Sequence, residues 1–414
     1  MPNDEGATPT GEDERAVAAG MRTVWVLALG SFATGSGLLV VAGIVPQIAA
    51  NLRVSTAAGG QVITVFSLAF ALLAPTLAAC TGRIPRRPLL IAALALFVLA
   101  NLLSALAPTY PSLLATRVLA AAGMALYTPN AAAVAANLVP PRYRGRALAI
   151  VLGGMSLATI FGVPLGTAVG SWLGWRATFA TVAAIGACAL AGLALALPAV
   201  HALPPASLAE RLALMCRPAV LGNLAVTMLT TGGIIGLYTY LATVLAHTAD
   251  VRGALLAVVL LVYGLGGGLG TAISGRATDR FGARRVLMVA LGVVVITEAL
   301  VPVATTAVAA SLLLFVWGAA GWGFSIPQQY RLLALAPAQP SIAVSLHSSA
   351  SYLGQAIGAA LAGAALGRLT TSPERLASFG AASVALGLIV VLATRVRRER
   401  SARSEDHLGL PEPL

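Results

Sequence analysis

The chain has no lysine: all 26 of its basic side chains are arginine. Charge of either sign is scarce, at 10% of 414 residues, where soluble proteins carry roughly 25%. Cysteine is scarcer still. Cys80, Cys188 and Cys216 are odd in number and widely spaced, which excludes a disulfide framework and a cysteine metal site. There is no nucleotide-binding loop, so ATP is not the direct energy source. No His/Asp/Glu cluster at metal-ligand spacing and no Ser–His pair is evident, which argues against a membrane-embedded enzyme, a resident metal or another cofactor. The net charge is +12, yet no basic helix or aromatic–basic patch accompanies it, so nucleic acid is not an expected partner. No cleavable signal peptide is expected either, because residues 1–20 are polar and acidic and the first apolar run is too long.

Apolar side chains, in contrast, are abundant: 58% of residues, with mean hydropathy +0.89. A soluble protein of this length could not bury so much apolar surface, so the solvent for most of it is lipid. A bilayer-spanning helix needs about 20 apolar residues. Runs of that length fall at 24–48, 59–80, 88–107, 112–138, 147–173 and 177–198, and again at 219–246, 253–275, 285–305, 308–334, 342–367 and 377–394. These are spans 1 to 12 of an all-α membrane protein. The expected organisation is a disordered cytoplasmic tail (1–22), a six-helix half (23–198), a cytoplasmic linker (199–218), a second six-helix half (219–395) and a cytoplasmic tail (396–414). Leu208, Leu212 and Met215 share one face, so the linker is expected to hold a short interfacial helix.

Arginine placement gives sidedness. Turns after even-numbered spans hold thirteen arginines: Arg83, Arg86, Arg87, Arg142, Arg144, Arg146, Arg211, Arg217, Arg276, Arg280, Arg284, Arg285 and Arg331. Odd-numbered turns hold five: Arg53, Arg176, Arg252, Arg368 and Arg375. The excess puts the even turns and both termini in the cytoplasm of a cell-membrane protein. The even turns also expose a repeat. Gly82-Arg83-Ile84-Pro85-Arg86-Arg87 follows span 2, and Asp279-Arg280-Phe281-Gly282-Ala283-Arg284-Arg285 follows span 8, an offset of 279 − 82 = 197 residues. Two parallel six-helix halves around a midplane site form a transporter architecture.

The stretch from Gly275 through Asp279, Arg280, Gly282, Arg284 and Arg285 resembles the cytoplasmic signature of the major facilitator superfamily, Gly-x-x-x-Asp-Arg-x-Gly-x-Arg-Arg. In the first copy Gly82 stands for the Asp and Pro85 for the Gly, so a carboxylate latch can be built only on the second copy. Span 4 carries Arg117 in a sequence similar to the family's span-4 motif, whose arginine is linked to proton transfer. An intramembrane arginine is costly; the other reading is a side chain that snorkels to the nearby interface. In span 5, Gly154, Ala158, Gly162, Gly166 and Gly170 recur every fourth residue, with Pro164 as an expected kink. Gly162-Val163-Pro164-Leu165-Gly166, with Gly174-Trp175-Arg176-Ala177-Thr178-Phe179 beyond it, resembles the motif of the antiporter branch. Glycines 264, 266, 268 and 270 of span 8 are the expected partner of this stripe.

The resemblance covers about 22–395 and is closest to the twelve-span drug:proton antiporters, including sugar-efflux and chloramphenicol-resistance-type exporters. It implies alternating access, export of a drug-like or sugar-like small molecule, protons as the coupling ion, and a monomer in the lipid bilayer. Proton-coupled uptake and a non-transporting sensor are the competing readings. Among fourteen acidic residues only Glu298 lies deep in a span, about 20 Å along span 9 from Arg285 at 1.5 Å per residue. It reads as proton carrier or as structural group. His347 in span 11 is the other in-span titratable residue. A mostly apolar cavity with a few polar and aromatic anchors makes Tyr127, Asn130, Tyr238, Tyr240, Trp317, Trp322, Gln328 and Tyr352 the candidate substrate contacts, with interfacial or core packing the alternative for each aromatic.

Overall fold

A computed structural model of the protein describes residues 11–200, 213–369 and 372–408, with side chains over 17–200, 213–340, 342–368 and 372–394. Residues 201–212, with most of the expected linker and its interfacial helix, lie outside the described residues, as do 1–10 and 409–414.

Every span is helical. Span 1 is Gly11–Leu39 continued by Val41–Leu52. Spans 2, 3 and 4 are Thr56–Cys80, Arg86–Ala105 and Tyr110–Asn137. Span 5 is Arg144–Leu157, a wide π turn at Ala158–Gly162, and Val163–Leu173. Span 6 is Trp175–Ala196. Span 7 is Pro218–Thr239 plus Leu241–Thr248. Spans 8 and 9 are Gly253–Phe281 and Ala283–Leu300. Span 10 is Ala307–Gly323 plus Ser325–Leu335, span 11 is Pro340–Ala364, and span 12 lies within Leu376–Leu408. Among the described residues, eleven helices are long and apolar enough to cross a bilayer. Pro340–Ala364 is the twelfth, made more polar by His347, Ser348, Ser349, Ser351 and Gln355.

Hydroxyl caps start several helices at the odd turns. Ser55 accepts from the Ala58 N–H, Thr109 forms a reciprocal box with Ser112, and Thr306 accepts from the Ala309 N–H. Each satisfies a donor that the first helical turn leaves free. The sequence reading differs from the structure in three places. Spans 1, 7 and 10 are broken, at Val40, Tyr240 and Phe324, rather than continuous. Just before Pro164, which removes an intrahelical N–H donor, span 5 also carries a wide π turn at Ala158–Gly162 that the sequence reading did not include. The outer helices also extend into the expected tails, from Gly11 and as far as Leu408. Polar composition keeps a segment out of lipid but does not prevent it from being helical.

Spans 1–6 form one half and spans 7–12 the other. The halves meet mainly along two seams, span 2 against span 11 and span 5 against span 8, and spans 1 and 7 also touch. The repeat is visible in individual hydrogen bonds. Arg87 donates to Ala194 O at 3.0 Å, and Arg284 donates to Val391 O at 2.9 Å. These are equivalent positions, since 87 + 197 = 284 and 194 + 197 = 391. In each half this arginine meets a backbone carbonyl of the last helix; in the first half that carbonyl lies in the last turn, where the helix dipole favours a cation. Arg284 is thereby engaged inside its own half.

Candidate functional site

Arg117 sits two turns into span 4 and is fully buried. The snorkelling reading therefore fails, because the guanidinium points into the first half. It donates to Asn101 Oδ1 at 3.2 Å, to Ser104 Oγ and to Gly37 O at 3.5 Å. The Phe179 ring lies 4.4 Å from the guanidinium carbon, close enough for a cation–π contact. Every partner is neutral, and Nε has no acceptor. The ion pairs found among the described residues, His247–Glu374 and Arg252–Asp250, both lie in odd turns.

Glu298 is the counterpart in the second half and is also fully buried. Its Oε1 accepts from Trp317 Nε1 at 3.1 Å, while Oε2 has no partner. Gly380 of span 12 makes room for it: a Cβ there would lie 2.7 Å from Oε2. Tyr238, Tyr263 and Trp317 stack beside the carboxyl group, with ring centroids 5.1 Å apart for Tyr238–Tyr263 and for Tyr263–Trp317. Third spans are thus not merely peripheral here. Glu298 and Asn101 occupy equivalent positions, 101 + 197 = 298, and each accepts from a side chain of the following span. One half carries a fixed cation on this polar step and the other a titratable acid.

His347 belongs to a separate group towards the even-turn end. Its Nδ1 lies 3.5 Å from Thr227 Oγ1. Gln328 Nε2 donates to Asn223 O at 2.6 Å and reaches Thr227 Oγ1 at 3.2 Å, and Arg331 donates to Gln328 Oε1 at 3.1 Å. Neighbours from spans 7, 10 and 11 thus join through side chains that periodicity alone could not associate.

The eight candidate substrate contacts are not brought together. Tyr127 is buried in its own half and donates to Leu27 O at 2.9 Å. Tyr238 and Trp317 belong to the Glu298 cluster, and Gln328 to the His347 group. Tyr240 and Tyr352 bridge the halves: the Tyr240 hydroxyl donates to Ala57 O at 3.1 Å, and Tyr352 stacks on Phe70 at 3.8 Å. Asn130 and Trp322 remain half-buried.

The small-residue stripe of span 5 packs on span 1 rather than on span 8, which corrects the expected pairing. A Cβ on Gly162 would lie 2.9 Å from Ser36 Cβ, and one on Gly170 would lie 2.7 Å from Ile44 Cγ2; Gly154 and Gly166 likewise face span 1. Span 8 meets a different face of span 5. A Cβ on Gly264 would lie 2.7 Å from Ile160 Cα and one on Gly268 would lie 2.7 Å from Ile160 Cδ1, while Gly266 and Gly270 pack on the backbone of span 10. A four-residue stripe names a close contact but not the partner. The second motif segment closes the odd-turn end of the first half. Gly174 has φ +84°, a conformation glycine adopts readily. Arg176 bonds Asn51 Oδ1 at 2.6 Å and Ala107 O at 2.9 Å, and Thr178 bonds Gly166 O at 2.8 Å.

At the even-turn end the halves stand apart. Asp279 and Arg280 are exposed, and a Cβ on Gly145, Gly153, Gly275 or Gly282 would meet nothing within 4 Å. Gly282 has φ +82°, whereas Pro85 in the first copy has φ −54°, so the two turns differ in backbone as well as in charge. The contacts through Tyr240, Tyr352, Gly264 and Gly268 leave the molecule closed from its middle to its odd-turn end.

Two six-helix halves with a gap between them at one end are the architecture of a membrane transporter. The sequence comparisons agree. Residues 27–359 and 224–413 match the profile of the Major Facilitator Superfamily, and the chain belongs to that family. It is 32% identical over 341 residues to the MFS-type transporter YbcL of Bacillus subtilis, covering 82% of this chain and 87% of that one. It is 33% identical over 376 residues to a chloramphenicol resistance protein of Streptomyces lividans, covering 90% and 96%. The inner membrane transport protein YdhP of Escherichia coli (strain K12) is 32% identical over 340 residues, covering 82% and 87%. The crystal structure of the nucleoside transporter NupG shares the fold, with a TM-score of 0.73 over 91% of this chain and 99% of that one at 13% identity.

Proposed function

We propose that this transporter exports a small drug-like or sugar-like molecule across the cell membrane in exchange for protons, by alternating access. The observation that carries the direction is the similarity, over nine-tenths of the chain, to a chloramphenicol resistance protein. Coupling is drawn from Glu298. Its carboxyl group is buried, half-satisfied and without a cation to offset the loss of hydration, and it can exchange a proton as the halves rock. Arg117 is the fixed charge of the other half. With the even turns, both termini and the 199–218 linker cytoplasmic, the conformation described is inward-facing. Asp279, Arg280 and Gly282 then form a latch that engages in the opposite state. The transporter works as a monomer.

The test uses inverted vesicles energised to an acidic interior, with a pH-sensitive dye. Addition of chloramphenicol or another compound from an antibiotic and sugar panel should release protons from vesicles carrying the protein and not from empty ones. Transport that persists after an uncoupler, but follows a sodium gradient, rejects the coupling ion. Accumulation in intact cells rejects the direction.

A further inference from the structure

Spans 11 and 12 both pack on span 7 but hardly on each other. The cause is glycine. Gly232 and Gly236 lie against the backbone of Gly354 and Gly358, and a Cβ on Gly233 would lie 2.6 Å from Gly380 O. Both outer helices are drawn close to span 7, and no side chain is left to fill the space between them. The result is a slot of about 730 Å³, within the roughly 300–1,000 Å³ of small-molecule sites. In the first half the equivalent slot is shut, because Thr178 of span 6 bonds directly to Gly166 of span 5.

The walls are apolar. Ile357, Leu361 and Phe379 stand 43%, 65% and 47% exposed along them, so the slot opens sideways to lipid and not into the gap between the halves. The Ser383 hydroxyl on its lining is already bonded to Leu229 O at 2.8 Å. Among the described lining residues one is charged: Arg368, at the odd-turn end of the slot, exposed and without a partner among the described residues. A long apolar channel with a single cation at the depth of the membrane surface matches an amphiphile with one chain and an anionic head.

We propose that this slot is a binding site for a membrane phospholipid, with an acyl chain between spans 11 and 12 and the phosphate on Arg368. The site lies outside the gap between the halves and is independent of the export reading. The occupant is a lipid and not the transported molecule, because the entrance faces the bilayer and, among the described lining residues, Arg368 is the only side chain with free hydrogen-bond donors to orient a polar solute.

Native mass spectrometry of protein released from nanodiscs of phosphatidylglycerol and phosphatidylcholine tests this. Wild-type protein should retain one phospholipid. Arg368→Gln, at an exposed and unpartnered position, should cut the retained fraction at least fivefold, and Arg368→Lys should keep most of it. Ala364→Phe, which fills the slot beside Arg368, should do the same as Arg368→Gln. Arg53→Gln, an exposed cation elsewhere on the same end, should change nothing. Equal retention by wild type and Arg368→Gln overturns the proposal. So does equal loss with Arg53→Gln, which would mean unspecific charge attraction. Displacement by inorganic phosphate alone overturns the lipid as occupant.

Discussion

At the scale of single residues, two buried groups of opposite sign sit in opposite halves, each held by neutral partners. Asn101 and Glu298 are equivalent by the 197-residue repeat, yet one is fixed and the other titratable. Glu298→Gln preserves shape and a hydrogen-bonding oxygen for Trp317, and it removes the exchangeable proton. Abundance should stay within twofold of wild type, while substrate-driven proton release should fall at least tenfold. Arg117→Ala should also abolish transport, but with a fold penalty of about 1–3 kcal/mol, because Asn101 and Ser104 lose a buried partner. Proton release that survives in Glu298→Gln would make that residue structural. Both charges were legible in the sequence, because a charge inside an apolar run is conspicuous. Their surroundings were not. Asn101, Ser104, Phe179, Trp317 and Gly380 are unremarkable in their own helices, and only tertiary packing assembles them. Nor did the sequence place Tyr240 and Tyr352 across the seams.

Among elements, span 8 does two different things along its length. Gly266 and Gly270 lie against the backbone of span 10, where a Cβ on Gly270 would sit 2.6 Å from Ala319 Cα. Gly275, about two and a half turns of helix closer to the even-turn end than Gly266, faces open space. Gly270→Leu should therefore lower thermal stability by about 1–3 kcal/mol, the usual range for overpacking, whereas Gly275→Ala should leave it unchanged. If Gly275→Ala slows transport at full stability, its neighbour must arrive in the other conformation, and equal melting of both variants would refute the packing account. The turn beyond follows the same logic. Asp279→Asn should impair transport with little loss of abundance, while Gly82→Ala should be mild, since only the second turn has a carboxylate to pair. Equal activity at equal abundance removes the latch. The motifs announced these turns and the close-packed stripe of span 5. They could not announce that the stripe belongs to span 1, because small residues at every fourth position fit any helix that approaches closely.

At the scale of the molecule, composition alone made the membrane assignment, and the repeated arginine turn made the two halves. Sidedness rests on thirteen arginines against five. In a background lacking Cys80, Cys188 and Cys216, Pro205→Cys should resist a membrane-impermeant maleimide in intact cells and react in inverted vesicles; labelling of intact cells reverses the orientation. The buried Arg117 also bears on how the chain is made. A single arginine at the centre of a helix adds roughly 2.5–3.5 kcal/mol to the free energy of insertion through the translocon, an upper bound for Arg117, which stands two turns in. Its partners Asn101 and Ser104 stand on the preceding helix, joined by a turn of only a few residues. Span 4 should therefore be a poor membrane guest by itself and a good one when spans 3 and 4 leave the ribosome as a hairpin. Glycosylation mapping of the two segments, made separately and joined, should show insertion of span 4 rising when span 3 precedes it and falling back when Asn101 and Ser104 are both replaced by alanine. The expected outcome is that this one buried charge sets the order in which the helices are released to the bilayer.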